Sequence, residues 1–444
     1  MDVTLYWITQ DLRLDDNPAL TRAAQSDALI CAFCIDQRWF SPHRYHVSSM
    51  GMHRWQLLQQ SLDSLSESLA ALNQHLHLEY GYPELQLAAL IVKHKVTRLV
   101  CSRQFGSDEQ KIINYLAGCF PQLEIEQKDA TTLFDKDQVP PEPRHLFRGF
   151  TPFRKQMEPL PVPQPLQAPM SLPRPMLRVV GMTPHPDWIP DRYTTLQQSG
   201  GTEPLFAGGE TAAHQHLTRY FGTDLPLHYK RVRDRLDGWE NSSKLSPWLN
   251  SGCLSVRRVK QVLNQFEHSH GSNDSTCWLY FELLWREYFQ WLALAQGNRL
   301  FSLRGLAAKA PHACLHPERY QKWCHGNTPW PIVNACMRQL KSTGYLSNRG
   351  RQIAASCYVN ELGMDWRYGA AWFEHQLIDY NIASNWCNWQ YIAGVGVDPR
   401  GGRHFNLEKQ TQTFDPEGHF VADWAPDNPE TRLDSVDAAD WPVA

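Results

Sequence analysis

The chain has 444 residues, 42% of them hydrophobic and 20% charged, the composition of a folded globular protein with room for two or three domains at about 150 residues each. A net charge of −3 excludes nucleic-acid binding through overall positive charge, so such binding needs a local patch, for which Lys230–Arg233 and Asn348–Arg351 are the candidates. No run approaches the roughly 18 apolar residues of a membrane span.

The start, Met1–Ile8, lacks the basic and apolar regions of a secretory signal, and a cytoplasmic protein is expected. Short β-rich runs follow at Val3–Ile8, Leu29–Ile35, Leu76–Tyr80, Arg98–Ser102 and Leu123–Gln127. Between them lie amphipathic segments such as 50–72, where Trp55, Leu58, Leu62, Leu65 and Leu69 recur at helical spacing. This alternation predicts a doubly wound parallel sheet. Neither a dinucleotide nor a triphosphate fingerprint follows the first strand, which exits through Thr9–Arg13. Cys31 and Cys34 form a CxxC inside an apolar strand rather than at a strand-to-helix turn, which argues against redox use. The 11 cysteines lack the short paired spacings of metal sites, so reduced thiols and no metal are expected.

From Pro159 to Pro190 prolines are dense, which blocks helices and favours an extended connector. After about residue 205 the pattern turns helical, with predicted helices at Thr211–Phe221, Val256–Phe266, Ser275–Leu294, Trp330–Thr343, Arg351–Leu362 and Ala370–Leu377.

Within this half, Trp278–Phe289 (WLYFELLWREYF) sets Glu282 and Arg286 among rings, and Glu282 shares a helix face with Trp285 and Arg286 at i+3 and i+4. Either an ordinary ion pair beside core aromatics or the polar floor of an aromatic pocket fits that pattern. Ser242, Ser243, Lys244 and Ser246 stand where a helix starts, suited to N-capping or to a phosphate. Asn348, Arg349, Arg351 and Gln352 crowd another helix start, where cations are tolerated best near an anion. Leu377–Tyr391 interleaves amides and a carboxylate with rings, which suits a heterocyclic ligand.

These stretches resemble the photolyase and cryptochrome family, most closely its cryptochrome DASH subgroup, through KLSPWLNSGCLS, SNDSTCWLYFELLWREYF, WCHGNTPWP, STGYLSNRGRQIAASCYVNELGMDWRYGAAWFE, NWQYIAGVGVDPR and FDPEG. The resemblance covers most of residues 225–420 and is weaker in the first half, at Asp11–Pro18. It implies an α/β + α fold: a Rossmann-like antenna domain over 1–130, a proline-rich linker over 131–204, an all-helical FAD-binding domain over 205–420 and an acidic tail over 421–444. Tyr229 and the segment Ser243, Lys244, Leu245 and Ser246 would meet the FAD phosphates, with Arg286 and Asn348 in the same cavity. Arg351 and Asp379 would pair beside the flavin ring, with Asn381 near its N3 and Asn385 near its N5.

The family's catalytic carboxylate falls on Glu282 and its lesion-stacking tryptophan on Trp285. In that family light-excited reduced flavin passes an electron to a cyclobutane pyrimidine dimer, the ring splits and the electron returns. Gln352 and Tyr391 match the DASH pattern where other photolyases carry Met and Trp, which implies preference for single-stranded DNA; Arg349 and Arg403 are expected to touch the strand, and RNA is a further candidate partner. Trp389 and Trp366 match the two inner members of the electron-transfer chain, whereas the third falls on Ala313. Asn381 replaces a usual aspartate, and Trp386 and Cys387 also depart from the subgroup. Glu109 is the expected contact for a 5,10-methenyltetrahydrofolate antenna. The implied activity is a light-driven lyase acting as a monomer; a blue-light photoreceptor that binds nucleic acid with little repair is the alternative.

Overall fold

The structure, a computed structural model, describes residues 1–139, 147, 149–177, 186–193, 205–397, 401–427 and 432–434. Parts of the linker, the Asp398–Arg400 end of one motif and most of the acidic tail lie outside these residues.

Strands β1 (Val3–Ile8), β2 (Ala28–Asp36), β3 (Leu76–Gly81), β4 (Arg98–Ser102) and β5 (Glu124–Lys128) form a parallel sheet in the order β3-β2-β1-β4-β5. A short β6 (Arg174–Pro175) pairs with Ala28 and Leu29 of β2. Every residue of β1 and β2 is buried, as expected of strands covered by helices on both faces. One face of the sheet has its own apolar core, around Leu5, Ile30, Leu87 and Leu116. The other face, with Tyr6, Cys31 and Val100, joins a core that continues into the helical half as far as Trp323 and Trp389. The thiols of Cys31 and Cys34 are buried and their pKa values are raised by that burial, which leaves no thiolate for redox work.

Strand order reverses at β1, where open α/β sheets place their ligands. Here protein fills that place. Asp11 accepts hydrogen bonds from Tyr6 Oη (2.5 Å) and Ser102 Oγ (2.6 Å). Arg13, only 1% exposed, donates to the carbonyls of Ala130 (2.6 Å), Asp16 (2.7 Å) and Gly252 (3.0 Å). The sheet's crest is therefore a joint with the helical half.

That half contains the expected helices with shifted ends. The longest, Asp274–Gln296, starts at Asn273, whose side chain accepts from the Ser275 and Thr276 amides. Two expectations are corrected. The stretch 131–204 includes a helix, Phe150–Met157, ahead of the dense prolines that start at Pro159; Phe150, Phe153 and Met157 are all buried, at the i, i+3, i+7 spacing of an apolar stripe. The tail does not begin at 421, because the helix His419–Trp424 packs on Pro331–Thr343 with Phe420 and Ala425 buried.

Glu287 ties the segment after β5 to the long helix, accepting from Leu133 N (2.7 Å), Phe134 N (3.3 Å) and Trp291 Nε1 (2.7 Å). Burial pushes its pKa up from 4.5 to about 7. The folded protein then holds a proton that the unfolded chain releases near 4.5, so the stability this group contributes is full below that pH and declines as pH rises through about 7. Relative to the parent, Glu287→Gln is expected to flatten the fall in urea midpoint between those two pH values. An unchanged slope would contradict the assignment.

Candidate active site in the helical half

A cavity of about 490 Å³ opens among the helices Ser246–Ser251, Asp274–Gln296, Asn348–Ser356 and Ile382–Ile392, within the size range of cofactor sites, about 300–1,000 Å³. At its floor Arg351 Nη2 lies 2.9 and 2.8 Å from the two carboxylate oxygens of Asp379, and Arg351 Nε donates to Leu346 O (2.8 Å). Ser246 Oγ also donates to Asp379 (2.6 Å), and Asn250 Nδ2 to its carbonyl (2.6 Å). Asp379 is 4% exposed, so three chain segments converge on one buried carboxylate.

Ser243, Lys244 and Leu245 line the wall just before their helix, and the helix itself begins at Ser246. Lys244 is buried in a left-handed conformation (φ 53°) with its Nζ 4.5 Å above the Tyr345 ring. Tyr229, Asn348 and Gln352 line the same space; the Tyr229 phenol is held well above its usual pKa by burial. Asn385 donates to Ala370 O (2.9 Å), and among the described residues its Oδ1 has no partner. Asn381 caps the helix Ile382–Ile392, its Oδ1 accepting from Ser384 N at 3.0 Å. An aspartate at 381 would cap equally well, so the amide changes local charge while keeping the helix start.

The two charges of the aromatic helix do not pair with each other. Glu282 Oε1 accepts from Arg233 Nη2 and from Trp278 Nε1, both at 2.9 Å. Oε2 makes no hydrogen bond among the described residues. Burial raises the Glu282 pKa, and Arg233 and Trp278 oppose the rise. Arg286 turns toward the domain joint, donating to Thr131 O (2.6 Å), Leu249 O (3.1 Å) and Asn250 Oδ1 (3.3 Å). Burial pushes its pKa down to about 10. Trp278, one turn before Glu282, was readable as its neighbour. Arg233, at the end of the helix Leu225–Val232, was visible only as part of a basic patch.

At the mouth Trp285 faces Tyr391, with ring centroids 6.4 Å apart and planes at 77°. Arg403 hydrogen-bonds the Tyr391 hydroxyl and lies 4.9 Å over its ring. Arg349 is not on the wall of this cavity: it pairs with Asp234 (3.3 Å) and sits 4.6 Å over Phe414. Trp389 lines the cavity, and Gly369 passes so close that a Cβ there would stand 2.3 Å from the indole. The ring contacts of Trp389 among the described residues are Phe373, Tyr358 and Trp323, at 5.2, 5.8 and 6.1 Å. Trp366 is buried outside the cavity against Trp386 (5.8 Å). Glu109 is not on the cavity wall; it is buried against Gly106 in the sheet domain, near Ile382 at the start of the helix Ile382–Ile392; burial raises its pKa and its Oε2 lacks a hydrogen-bond partner among the described residues.

Residues 278–440 match the family model described as the FAD binding domain of DNA photolyase, and residues 4–170 match the model described as DNA photolyase. The chain is 46% identical over 443 residues to the cryptochrome DASH of Idiomarina loihiensis, covering 99% of this chain and 96% of that protein. The chain belongs to the cryptochrome DASH family. A second member, from Vibrio parahaemolyticus, is 43% identical over 99% of this chain and 97% of its own length. Among solved structures the Synechocystis cryptochrome superposes with a TM-score of 0.89 at 36% identity, covering 96% of this chain and 89% of that one. A class III photolyase from Agrobacterium tumefaciens gives 0.78 at 26% identity, covering 96% and 87%.

The cofactor of this DASH domain is FAD, and the cavity fits it. A buried cation at Lys244, the Ser243–Ser246 hydroxyls, the Arg351–Asp379 pair and the unpartnered Asn385 Oδ1 provide donors and acceptors along one apolar-walled space. Among the described residues no helix is long and apolar enough to cross a membrane.

Proposed function

We propose that this DASH protein is a light-driven lyase that splits cyclobutane pyrimidine dimers, with preference for single-stranded DNA. The observation that carries the reading is the pairing of Glu282, with one carboxylate oxygen free, and Trp285 at the mouth of the FAD-binding cavity. FAD supplies light-driven electron transfer when bound; the protein supplies position and environment. Tyr229, Ser243, Lys244, Leu245, Ser246, Asn348, Arg351, Asp379, Asn381 and Asn385 hold it. Trp285 offers a flat apolar surface to the dimer, and Glu282 directs the dimer's polar edge. Arg233 and Trp278 fix the Glu282 carboxylate so that it need not reorganise when the dimer enters.

The strand preference rests on Tyr391 and Gln352. Stacking on a ring is worth about 1–3 kcal/mol per base, similar to the few kcal/mol needed to flip a base from duplex. A phenol pinned edge-on to Trp285 by Arg403 gives less stacking than an indole, and duplex then loses more than a strand that is already open. Trp389 and Trp366 serve as electron donors to the flavin. Glu109 holds a methenyltetrahydrofolate antenna through its unpartnered oxygen.

Matched single-stranded and duplex oligonucleotides carrying one dimer, illuminated with blue light under reducing conditions, test the reading. Splitting confined to the single strand is expected. Equal splitting of both would remove the argument from Tyr391 and Gln352. No splitting by flavin-loaded protein would leave the photoreceptor alternative.

A further inference from the structure

Phe150 lies flat against Trp285, with ring centroids 3.7 Å apart and planes 13° from parallel. It also meets Phe281 (5.2 Å, 87°) and Tyr288 (5.8 Å, 63°) edge to face. Phe281, Trp285 and Tyr288 are spaced i, i+4, i+7, a single stripe along the long helix. The cavity is lined by a second stripe of the same helix, Trp278, Glu282, Trp285, Arg286 and Phe289. Phe281 and Trp285 of the first stripe both also reach the cavity wall, and of the two it is Trp285 whose ring Phe150 lies flat against. Phe150 is 7% exposed and is not part of the cavity wall, so the face it covers is the one turned away from the cavity.

We infer that Phe150 is a positioning residue for substrate: it takes one face of Trp285, fixes the indole plane and leaves a single face for the dimer. This rests on the reading of Trp285 as the dimer's stacking surface. An indole on a helix flank has several rotamers, and a flat ligand gains most from a ring that is already in place. A parallel partner at van der Waals distance removes the alternatives, because swinging the indole away would break the stack and open a void beside Phe281 and Tyr288. The residue comes from the short helix Phe150–Met157, in the segment that connects the two halves. Its buried Phe153, 5.2 Å from Tyr288, keeps that helix on the stripe. The connecting segment is thus a working part of the substrate site.

The test uses full-length, flavin-loaded protein and a single-stranded oligonucleotide with and without a dimer. Phe150→Leu is expected to weaken dimer binding by about three- to tenfold, the worth of an aromatic pair beyond its area. Flavin content, binding of the undamaged strand and splitting yield at saturating strand should stay at parental values. Phe150→Tyr, which keeps the stacked ring, should restore binding, a rescue that mere packing volume does not predict. Unchanged dimer affinity in Phe150→Leu, or failure of Phe150→Tyr to recover it, would overturn the inference. Trp285→Ala separates the two levels: if its dimer affinity is also parental, the reading of Trp285 fails, whereas loss in Trp285→Ala with none in Phe150→Leu overturns the role of Phe150 only.

Discussion

Replacing Asp379 with alanine is expected to strip the protein of flavin and to lower its stability by about 3 kcal/mol, the low end for breaking a buried ion pair. Its carboxylate has 2% of its side-chain surface exposed and receives both Arg351 and Ser246. Removing it leaves the Arg351 guanidinium facing Leu346 O alone on the protein side, next to the cavity. The Ser246–Ser251 helix also loses the Ser246 bond to the segment before Ile382, keeping only the bond from Asn250 to the carbonyl of residue 379. Asp379→Asn keeps an acceptor for one of these donors and should fall between the two. The ratio of flavin to protein absorbance after gel filtration and a urea titration give both quantities. A full flavin complement in Asp379→Ala would show that the pair is not part of the cofactor site.

Glu282→Gln is expected to reduce dimer splitting by about tenfold, the worth of a hydrogen bond to a charged partner, with flavin content unchanged. The amide preserves size and can still accept from Trp278 Nε1. It loses the charge that holds Arg233 at 2.9 Å. Neither change touches the Arg351–Asp379 pair, so flavin retention is the internal control. Parental splitting in this variant would remove Glu282 from the site.

The strand positions, the parallel sheet and the helical second half were legible because periodicity reports burial, and burial decides element type in both halves. The helix Phe150–Met157 was missed because its neighbours are prolines and its three apolar residues are too few to stand out. The site was legible as a set of segments: most of the residues marked by resemblance do converge on one cavity. Their pairing was not legible. Glu282 and Arg286 share a helix and a spacing that suggests an ion pair, yet the charge partner of Glu282 is Arg233 from another segment, and Arg286 donates across to the carbonyls of Thr131 and Leu249. Long-range geometry decides such choices, and local sequence carries no record of it. The stack of Phe150 on Trp285 is hidden for the same reason, 135 positions separating two rings that touch.

The joint at Arg13 ties the fate of the two halves together. Gly252 adopts φ 81°, and a Cβ there would sit 2.0 Å from the carbonyl oxygen of Gln10, in the loop that leaves β1. Its own carbonyl receives Arg13 from that same loop. Together with a core that runs unbroken from the sheet into the helices, this makes the sheet domain a poor candidate for exchange as a module. A chimera that imports another light-harvesting domain would have to import residues 10–16 and 252 as a matched set, and drift at one of them constrains what the others can become.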